Sequence, residues 1–288
     1  MFNQISNKFP LIILLVLSLS LLAFKSLMKE NEVVKSVHPN VIFVLADQWR
    51  SEAIGYAGNN DVITPNLDRL SKESLVFENA VTVMAVCAPW RASFLTGQYP
   101  LTNGVFYNDR PLPNEAMTIA EIYKAQGYQT GYIGKWHLNG HGKGEPAFSA
   151  RDKPVPKDRR QGFDYWKVRE VTHDYNNSYY FDENDQKQYW EGYDAFPQTD
   201  SAISYIKKNK HNPFFIMVSW GPPHNPYHTA PEEFRKLYDP SKITLRPNVP
   251  EALQDSARQI IADYYAHITA LDKSMGDILD AVEKEGLS

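Results

Sequence analysis

Cys87 and Arg91 are the residues whose types and spacing most clearly favour chemistry. Cys87 stands shortly before Pro89, which can occupy the first turn of a helix. The thiol is therefore predicted to lie near free backbone N–H groups and the positive end of a helix dipole. Arg91 follows one helical turn after Cys87, and its guanidinium suits a tetrahedral oxyanion such as sulfate or phosphate. The alternative is a buried, inert thiol, because free cysteine is among the most buried residue types.

Other polar residues follow apolar segments of the sequence. Asp47 and Gln48 follow the first such segment, Lys135 and His137 the second, and His224 the third. In a parallel sheet, ligands bind at the carboxyl ends of the strands. These side chains are therefore predicted to lie at one edge of a sheet.

The elements that must position these residues alternate between strands and helices. Asn40–Asp47, Tyr128–Ile133 and Pro213–Trp220 are predicted strands, and the apolar runs among them suit strands buried on both faces. Thr118–Gln126 and a long segment opened by Pro250 show helical spacing. This alternation predicts an α/β sandwich with a mainly parallel sheet.

Two segments between these elements have unusual compositions. Gly140–Arg160 is rich in Gly, Pro, Lys and Arg and predicts a surface loop. Tyr165–Tyr193 is crowded with Tyr, Trp, Asp and Asn. It is interpreted either as an excursion that lines a sugar-binding cleft or as a polar loop with ordinary aromatic anchors.

The segment around the cysteine carries a spaced pattern, Cys-x-Pro-x-Arg followed after three residues by Leu-Thr-Gly. The pattern is met by Cys87, Pro89, Arg91, Leu95, Thr96 and Gly97. It resembles the signature of the type I sulfatases. In that family a maturase oxidises the cysteine to formylglycine, and the hydrated aldehyde is the nucleophile.

Further segments resemble the same family in the same order. They are Asp47-Gln48, Thr64–Asp68, Gly134–His137 and Pro223–Tyr227. The resemblance runs from about residue 40 to the last residue. It implies the alkaline phosphatase-like fold, a sandwich in which a central, mainly parallel sheet is flanked by helices.

The resemblance also implies a role for each matching residue. Cys87 is the formylglycine precursor, Arg91 holds its hydrate, and Lys135 binds a sulfate oxygen. His137 is the base that assists release of sulfate, and His224 orients sulfate or protonates the leaving alcohol.

Asp47, Gln48 and residue 87 are the metal ligands that the resemblance implies. A carboxylate and an amide oxygen suit a hard divalent cation, and Ca²⁺ is expected first, with Mg²⁺ and Mn²⁺ as alternatives. Many relatives carry a second Asp where Gln48 stands. The site in this chain therefore has one negative charge fewer.

These residues predict a sulfuric ester hydrolase that removes sulfate from a sulfated carbohydrate. Two alternatives stay open at this point. One is a phosphonate or phosphodiester hydrolase of the same superfamily, since such enzymes also use Asp-Gln. The other is a non-catalytic protein that binds sulfated glycans.

Composition and charge exclude several other classes. The chain has 288 residues with 30 basic and 34 acidic side chains, a formal net charge of −4. It therefore lacks the positive field that holds nucleic acid, and no nucleic-acid partner is expected. A single cysteine excludes an intrachain disulfide framework and a thiolate-rich metal site.

The two ends of the sequence carry predictions about processing. Residues 1–26 predict a signal peptide or an N-terminal anchor, 27–38 a linker, and 39–288 an incomplete sulfatase catalytic domain. The apolar run within the first segment is shorter than the ~20 residues that span a bilayer, so we expect export to the periplasm or the extracellular space. In the family a further strand supplies Asp followed by Asn or His, and a later segment supplies a lysine. This sequence stops before any such segments, so we expect it to be a truncated form of a longer polypeptide.

Overall fold

Six strands form one sheet in the described residues: β1 (Val41–Ala46), β2 (Gln129–Lys135), β3 (Tyr165–Arg169), β4 (Tyr179–Phe181), β5 (Lys187–Tyr189) and β6 (Phe214–Trp220). Their order is β1-β6-β2-β3-β4-β5. The first four in this order are parallel, and β4 and β5 add an antiparallel edge.

The computed structural model describes residues 38–141 and 149–288. The predicted export signal or anchor, nearly all of the predicted linker, and residues 142–148 of the predicted surface loop lie outside the described residues. Within the described residues, no helix has both the length and the apolar character needed to cross a bilayer.

Helices cover both faces of this sheet. They are α1 (Pro65–Ser71), α2 (Cys87–Thr96), α3 (Pro100–Asn103), α4 (Ile119–Ala125), α5 (Ala195–Asn209), α6 (Glu232–Arg235) and α7 (Gln254–Lys284). The long helix begins at Gln254 rather than at Pro250, because Glu251–Leu253 form a 3-10 turn before it.

Strand β6 shows why the sheet is a middle layer. Its residues are all buried, and they alternate between two apolar clusters. Ile216 and Val218 pack with residues of α5 and α7, whereas Phe215 and Met217 pack with residues of α2 and α4. Full burial of a side chain of this size stabilises a fold by about 1.5–3 kcal/mol, so β6 is anchored on both faces. The predicted α/β sandwich with a mainly parallel sheet is confirmed.

The connection through α4 fixes the position of β2. Thr118 accepts a hydrogen bond from the backbone N–H of Glu121, whose carboxylate accepts one from the backbone N–H of Thr118, a capping box. Gly127 then adopts φ +84°, a conformation that favours glycine. The chain turns directly into β2, which carries Lys135 at its carboxyl end.

The interpretation of Tyr165–Tyr193 as a polar loop is wrong where the segment is a strand, whereas its role in lining a sugar-binding cleft stays a prediction. The segment supplies β3, β4 and β5. In β3, Trp166 and Val168 are buried while Lys167 and Arg169 are partly exposed, the alternation of a strand. Packing against β2 decides the structure here, because the indole of Trp166 is fully buried.

Candidate active site

Three neighbouring strands deliver the predicted polar residues to one edge of the sheet. Asp47 follows β1, Lys135 ends β2, and His224 lies four residues beyond β6. Since β6 lies between β1 and β2 and all three are parallel, their carboxyl ends lie side by side. This is the edge at which α/β sheets bind ligands.

Cys87 is the first residue of α2 and faces this edge. The preceding residue, Val86, is extended, so the helix starts at the cysteine itself. The Sγ atom of Cys87 lies 3.6 Å from both carboxylate oxygens of Asp47 and 3.6 Å from the Nζ atom of Lys135. One of the helix-start N–H groups predicted to be free is in use, because the amide of Ala88 donates to Oδ1 of Asn108.

Arg91 connects the helix to the ends of the strands. Its guanidinium is buried, and one terminal nitrogen donates to the backbone oxygen of Lys135 and the hydroxyl of Ser219, both at 2.7 Å. The same nitrogen lies 3.3 Å from the hydroxyl of Tyr132. The other terminal nitrogen lies 3.5 Å from Asp47. This fork holds α2 against β2, β6 and the residue after β1.

Asp47 is the negative centre of the site. Its Oδ2 atom accepts a 2.5 Å hydrogen bond from Nζ of Lys135. Burial raises the pKa of Asp47, but the charges of Lys135 and Arg91 outweigh it and hold that pKa well below its usual range. The carboxylate is therefore ionised at neutral pH and compensates two buried cations.

His137 lies two residues past β2 in a left-handed conformation, with φ +57°. The ring is buried, and neither nitrogen has a hydrogen-bond partner among the described residues. Burial, followed by the charges of Lys135 and Arg91, lowers the pKa of His137 to about 2. The imidazole is therefore neutral at neutral pH, with a hydrogen on one ring nitrogen and a lone pair on the other.

Glu170 holds the turn that carries His137. Its backbone oxygen accepts the N–H of His137, and its Oε1 atom accepts the N–H groups of Asn139 and Gly140 at 2.9 and 3.0 Å. Burial raises the pKa of Glu170 to about 7. A buried carboxyl group of this kind is tolerated because it can take a proton.

We expect Glu170→Gln to remove part of the pH dependence of stability. The folded pKa of about 7 exceeds the unfolded value of 4.5, so the folded protein keeps a proton that the unfolded chain releases. The resulting stabilisation is complete below the unfolded pKa and is lost as pH rises through about 7. Wild type should therefore lose up to about 3 kcal/mol relative to Glu170→Gln between about pH 4.5 and pH 8, measured by urea unfolding.

The comparison between the two proteins isolates Glu170. Burial also raises the pKa of Asp194 to about 7, but Asp194 is present in both proteins. Glu232→Gln is the matched control, because that side chain is exposed in an ion pair with Lys236. Equal pH dependence of wild type and Glu170→Gln would contradict the prediction.

Gln48 and His224 complete the predicted set at the rim of the site. Gln48 is exposed, has φ +63°, and its Oε1 atom accepts a 3.1 Å hydrogen bond from the hydroxyl of Tyr227. His224 is half-buried, and its Nδ1 atom lies 3.0 Å from the backbone oxygen of Asn225. The positive charge of His224 contributes to lowering the pKa of Asp47. Direct contacts thus unite Asp47, Cys87, Arg91 and Lys135, whereas Gln48, His137 and His224 surround them.

Several residues at this edge were missed by sequence reasoning. Asn108 binds the first turn of α2, and Asp109 places Oδ1 3.9 Å from Nε2 of His137. Ser219 binds Arg91, and the ring of His173 stacks on His224. The alternating pattern of Tyr165–Arg169 could have identified β3 as a strand. His173, four residues past its carboxyl end, would then have been a candidate for the same edge of the sheet. Nothing in the sequence signals that Ser219 lies beside Arg91.

The family model of the sulfatases matches residues 39–288 of this chain. The chain belongs to the sulfatase family. It is 44% identical to an ulvan-active sulfatase of Formosa agariphila over 96% of this chain and 53% of that protein. It is 30% identical to an endo-4-O-sulfatase of Bacteroides thetaiotaomicron over 87% of this chain and 56% of that protein. The predicted sulfatase membership is thereby confirmed.

A solved structure from the same family shares the fold. The crystal structure of a protein from Bacteroides fragilis, provisionally assigned as a sulfatase, matches with a TM-score of 0.79 and 31% identity. The match covers 87% of this chain and 59% of that one. The predicted alkaline phosphatase-like fold is confirmed, and the chain spans about half the length of the curated sulfatases it matches.

The sulfatase family in general uses a formylglycine and a divalent metal. The side chains at this edge of the sheet can therefore be compared with the ligands that such a metal needs. No cluster of three or more His, Cys, Asp or Glu side chains able to hold a metal occurs in residues 38–141 and 149–288. Asp47 does offer an ionised carboxylate 3.6 Å from Cys87, and Gln48, the next residue, an amide oxygen that accepts a hydrogen bond from Tyr227. Such oxygen donors fit one side of a hard-cation site that takes six to eight ligands.

Proposed function

We propose that this protein hydrolyses sulfate esters with a formylglycine formed from Cys87. The observation that carries the proposal is the convergence on Cys87 of Asp47, Arg91 and Lys135, which come from three different elements. Two buried cations around one carboxylate leave net positive charge beside the thiol position. That field suits a sulfate group.

Arg91 and Lys135 would bind and orient the sulfate. Arg91 is already fixed by hydrogen bonds to strand ends, so little conformational freedom is lost when its remaining nitrogen meets an anion. Lys135 acts as a movable point charge that can exchange Asp47 for a sulfate oxygen. Both groups stabilise the negative charge that develops on the sulfate oxygens during transfer.

Two histidines would move protons in this reaction. When installed and hydrated, the aldehyde at residue 87 supplies a hydroxyl nucleophile for attack on sulfur. His137, whose ring nitrogens have no hydrogen-bond partner among the described residues, would accept a proton during release of sulfate. His224 donates a proton to the leaving alcohol from the more open side of the site.

Asp47, Gln48 and residue 87 would hold the divalent metal, and we propose Ca²⁺. The supporting argument is chemical, because a carboxylate and an amide oxygen are ligands of hard cations. The metal supplies positive charge next to the sulfate when it is bound. The carboxylate charge of Asp47 is preserved for this role by the low pKa that Lys135 and Arg91 impose.

The proposed substrate is a sulfated carbohydrate. The support comes from relatives, which are described as an ulvan-active sulfatase and an endo-4-O-sulfatase. We further propose that the protein is exported to the periplasm or the extracellular space, held there by residues 1–26 as an anchor or released from them. A formylglycine-generating maturase would be its partner during biosynthesis.

Coexpression with a maturase tests the proposal. The peptide that contains residue 87 should be about 18 Da lighter than its cysteine form, the difference between a thiol and an aldehyde side chain. The same preparation should release sulfate from 4-nitrophenyl sulfate and from a sulfated oligosaccharide. Removal of metal by chelation should abolish this release, and Ca²⁺ should restore it better than Mg²⁺ or Mn²⁺.

Defined outcomes would overturn each part of the proposal. An unmodified thiol under these conditions would exclude the formylglycine mechanism. Faster turnover of bis(4-nitrophenyl) phosphate than of the aryl sulfate would favour a phosphodiester hydrolase. Full restoration by Mg²⁺ alone would exclude Ca²⁺ as the required metal.

A further inference from the structure

His173 and His224 occupy equivalent places on either side of β2. His173 lies four residues past β3 and His224 four residues past β6, and these two strands flank β2 in the sheet. Their rings are stacked, with centroids 4.4 Å apart and planes inclined by 1°. The stack therefore joins the segments that follow the two strands on either side of β2, the strand that ends at Lys135.

We infer that His173 is a positioning residue that fixes the plane of the His224 ring for proton donation to the leaving alcohol. The inference rests on the proposed function, in which His224 is that donor. It assigns a role to a side chain outside the sulfatase motifs.

The hydrogen bonding of His224 shows why a second constraint on its ring matters. The backbone oxygen of Asn225 can only accept, so Nδ1 of His224 is assigned as the donor in the 3.0 Å contact. Nε2 is then the nitrogen left to exchange a proton with substrate. One hydrogen bond on a half-buried ring does not fix its plane, whereas a flat ring stacked on its face does.

The charges around His173 favour a neutral ring beneath the proton donor. His173 is half-buried, and it experiences the positive charges of His224, Lys135 and Arg151 and the negative charge of Asp47. Burial, then His224 and Lys135, lower the pKa of His173 to about 4. At neutral pH His173 is therefore uncharged, and its ring offers a flat π face to the ring of His224.

The test compares His173→Ala with His173→Phe, which keeps a flat ring but cannot titrate. The substrate is a sulfated oligosaccharide, because its alcohol leaving group needs the proton that His224 supplies. The loss of one ring stack should lower kcat for this substrate about 2- to 10-fold in His173→Ala, with His173→Phe within about twofold of wild type. KM should stay unchanged, because the donor acts in the transition state. The ¹³C–¹H resonance of the His224 ring should shift in His173→Ala through loss of the ring current.

The controls separate failure of this inference from failure of the proposed function. His211→Ala removes an exposed histidine that precedes β6, at the opposite end of that strand, and should match wild type. If wild type releases sulfate and His173→Ala behaves like His211→Ala, or if the His224 resonance does not move, the inference is overturned alone. If maturase-treated wild type releases no sulfate, the proposed function fails and the inference fails with it.

Discussion

Cys87→Ala should reduce release of sulfate from 4-nitrophenyl sulfate by at least about 10⁴-fold, because loss of the attacking group removes the covalent route entirely. The residual rate would reflect only the charged pocket of Arg91 and Lys135. Stability should change little, since the thiol is only partly buried and its polar contacts are long, at 3.6 Å. Turnover by the maturase-treated protein is the measurement, with a urea unfolding curve to establish that the variant is folded.

Ser93→Ala is the matched control for Cys87→Ala. Ser93 lies on the same helix, and its buried hydroxyl has no hydrogen-bond partner among the described residues. Its removal should leave turnover within about threefold of wild type, since no interaction with the site is lost. Equal turnover by Cys87→Ala and wild type would rule out Cys87 as the nucleophile precursor. A wild type that binds a sulfated oligosaccharide without releasing sulfate, despite conversion of residue 87, would indicate a binding protein.

The sheet could be predicted from sequence where hydrophobicity was continuous. Strand β1 is apolar throughout and β6 is apolar except for Ser219, and their predicted bounds lie within one residue of those observed. Strand β3 was missed because its buried residues alternate with Lys and Arg, which are also common in loops. Its burial depends on contact with β2, a neighbour more than thirty positions away.

Local spacing predicted the relation between Cys87 and Arg91 but not what Arg91 binds. A helical turn places these two side chains together, and helix α2 begins and ends where proline and glycine allow. The acceptors of Arg91 come from β2 and β6, at sequence separations that no local pattern encodes. The helical spacing therefore indicated an anion-binding group, whereas the structure shows a guanidinium that also joins three elements.

Arg91→Ala should destabilise the protein by about 3–5 kcal/mol, the usual cost of removing one partner of a buried charge pair. The substitution removes the donor to the hydroxyl of Ser219 and one of three donors to the backbone oxygen of Lys135, which keeps the hydroxyls of Tyr132 and Ser219. It also opens a cavity between α2 and the sheet. Asp47 keeps Lys135 but loses its second cation. The urea midpoint of the variant against wild type measures this loss, which turnover data alone could not separate from a catalytic effect.

Two further substitutions show whether the geometry of Arg91 is responsible. Arg91→Lys keeps the charge but cannot reach Asp47 and the strand acceptors at once, so it should recover only part of the lost stability. Arg69→Ala removes an exposed arginine paired with Asp280 at 3.1 Å, and surface pairs of this kind contribute about 0–1 kcal/mol. Equal urea midpoints for Arg91→Ala and Arg69→Ala would contradict the structural role of Arg91. A large loss in Arg91→Ala alone would mean that the group that binds sulfate also joins α2 to the strand ends, so catalysis and stability at this edge depend on the same guanidinium.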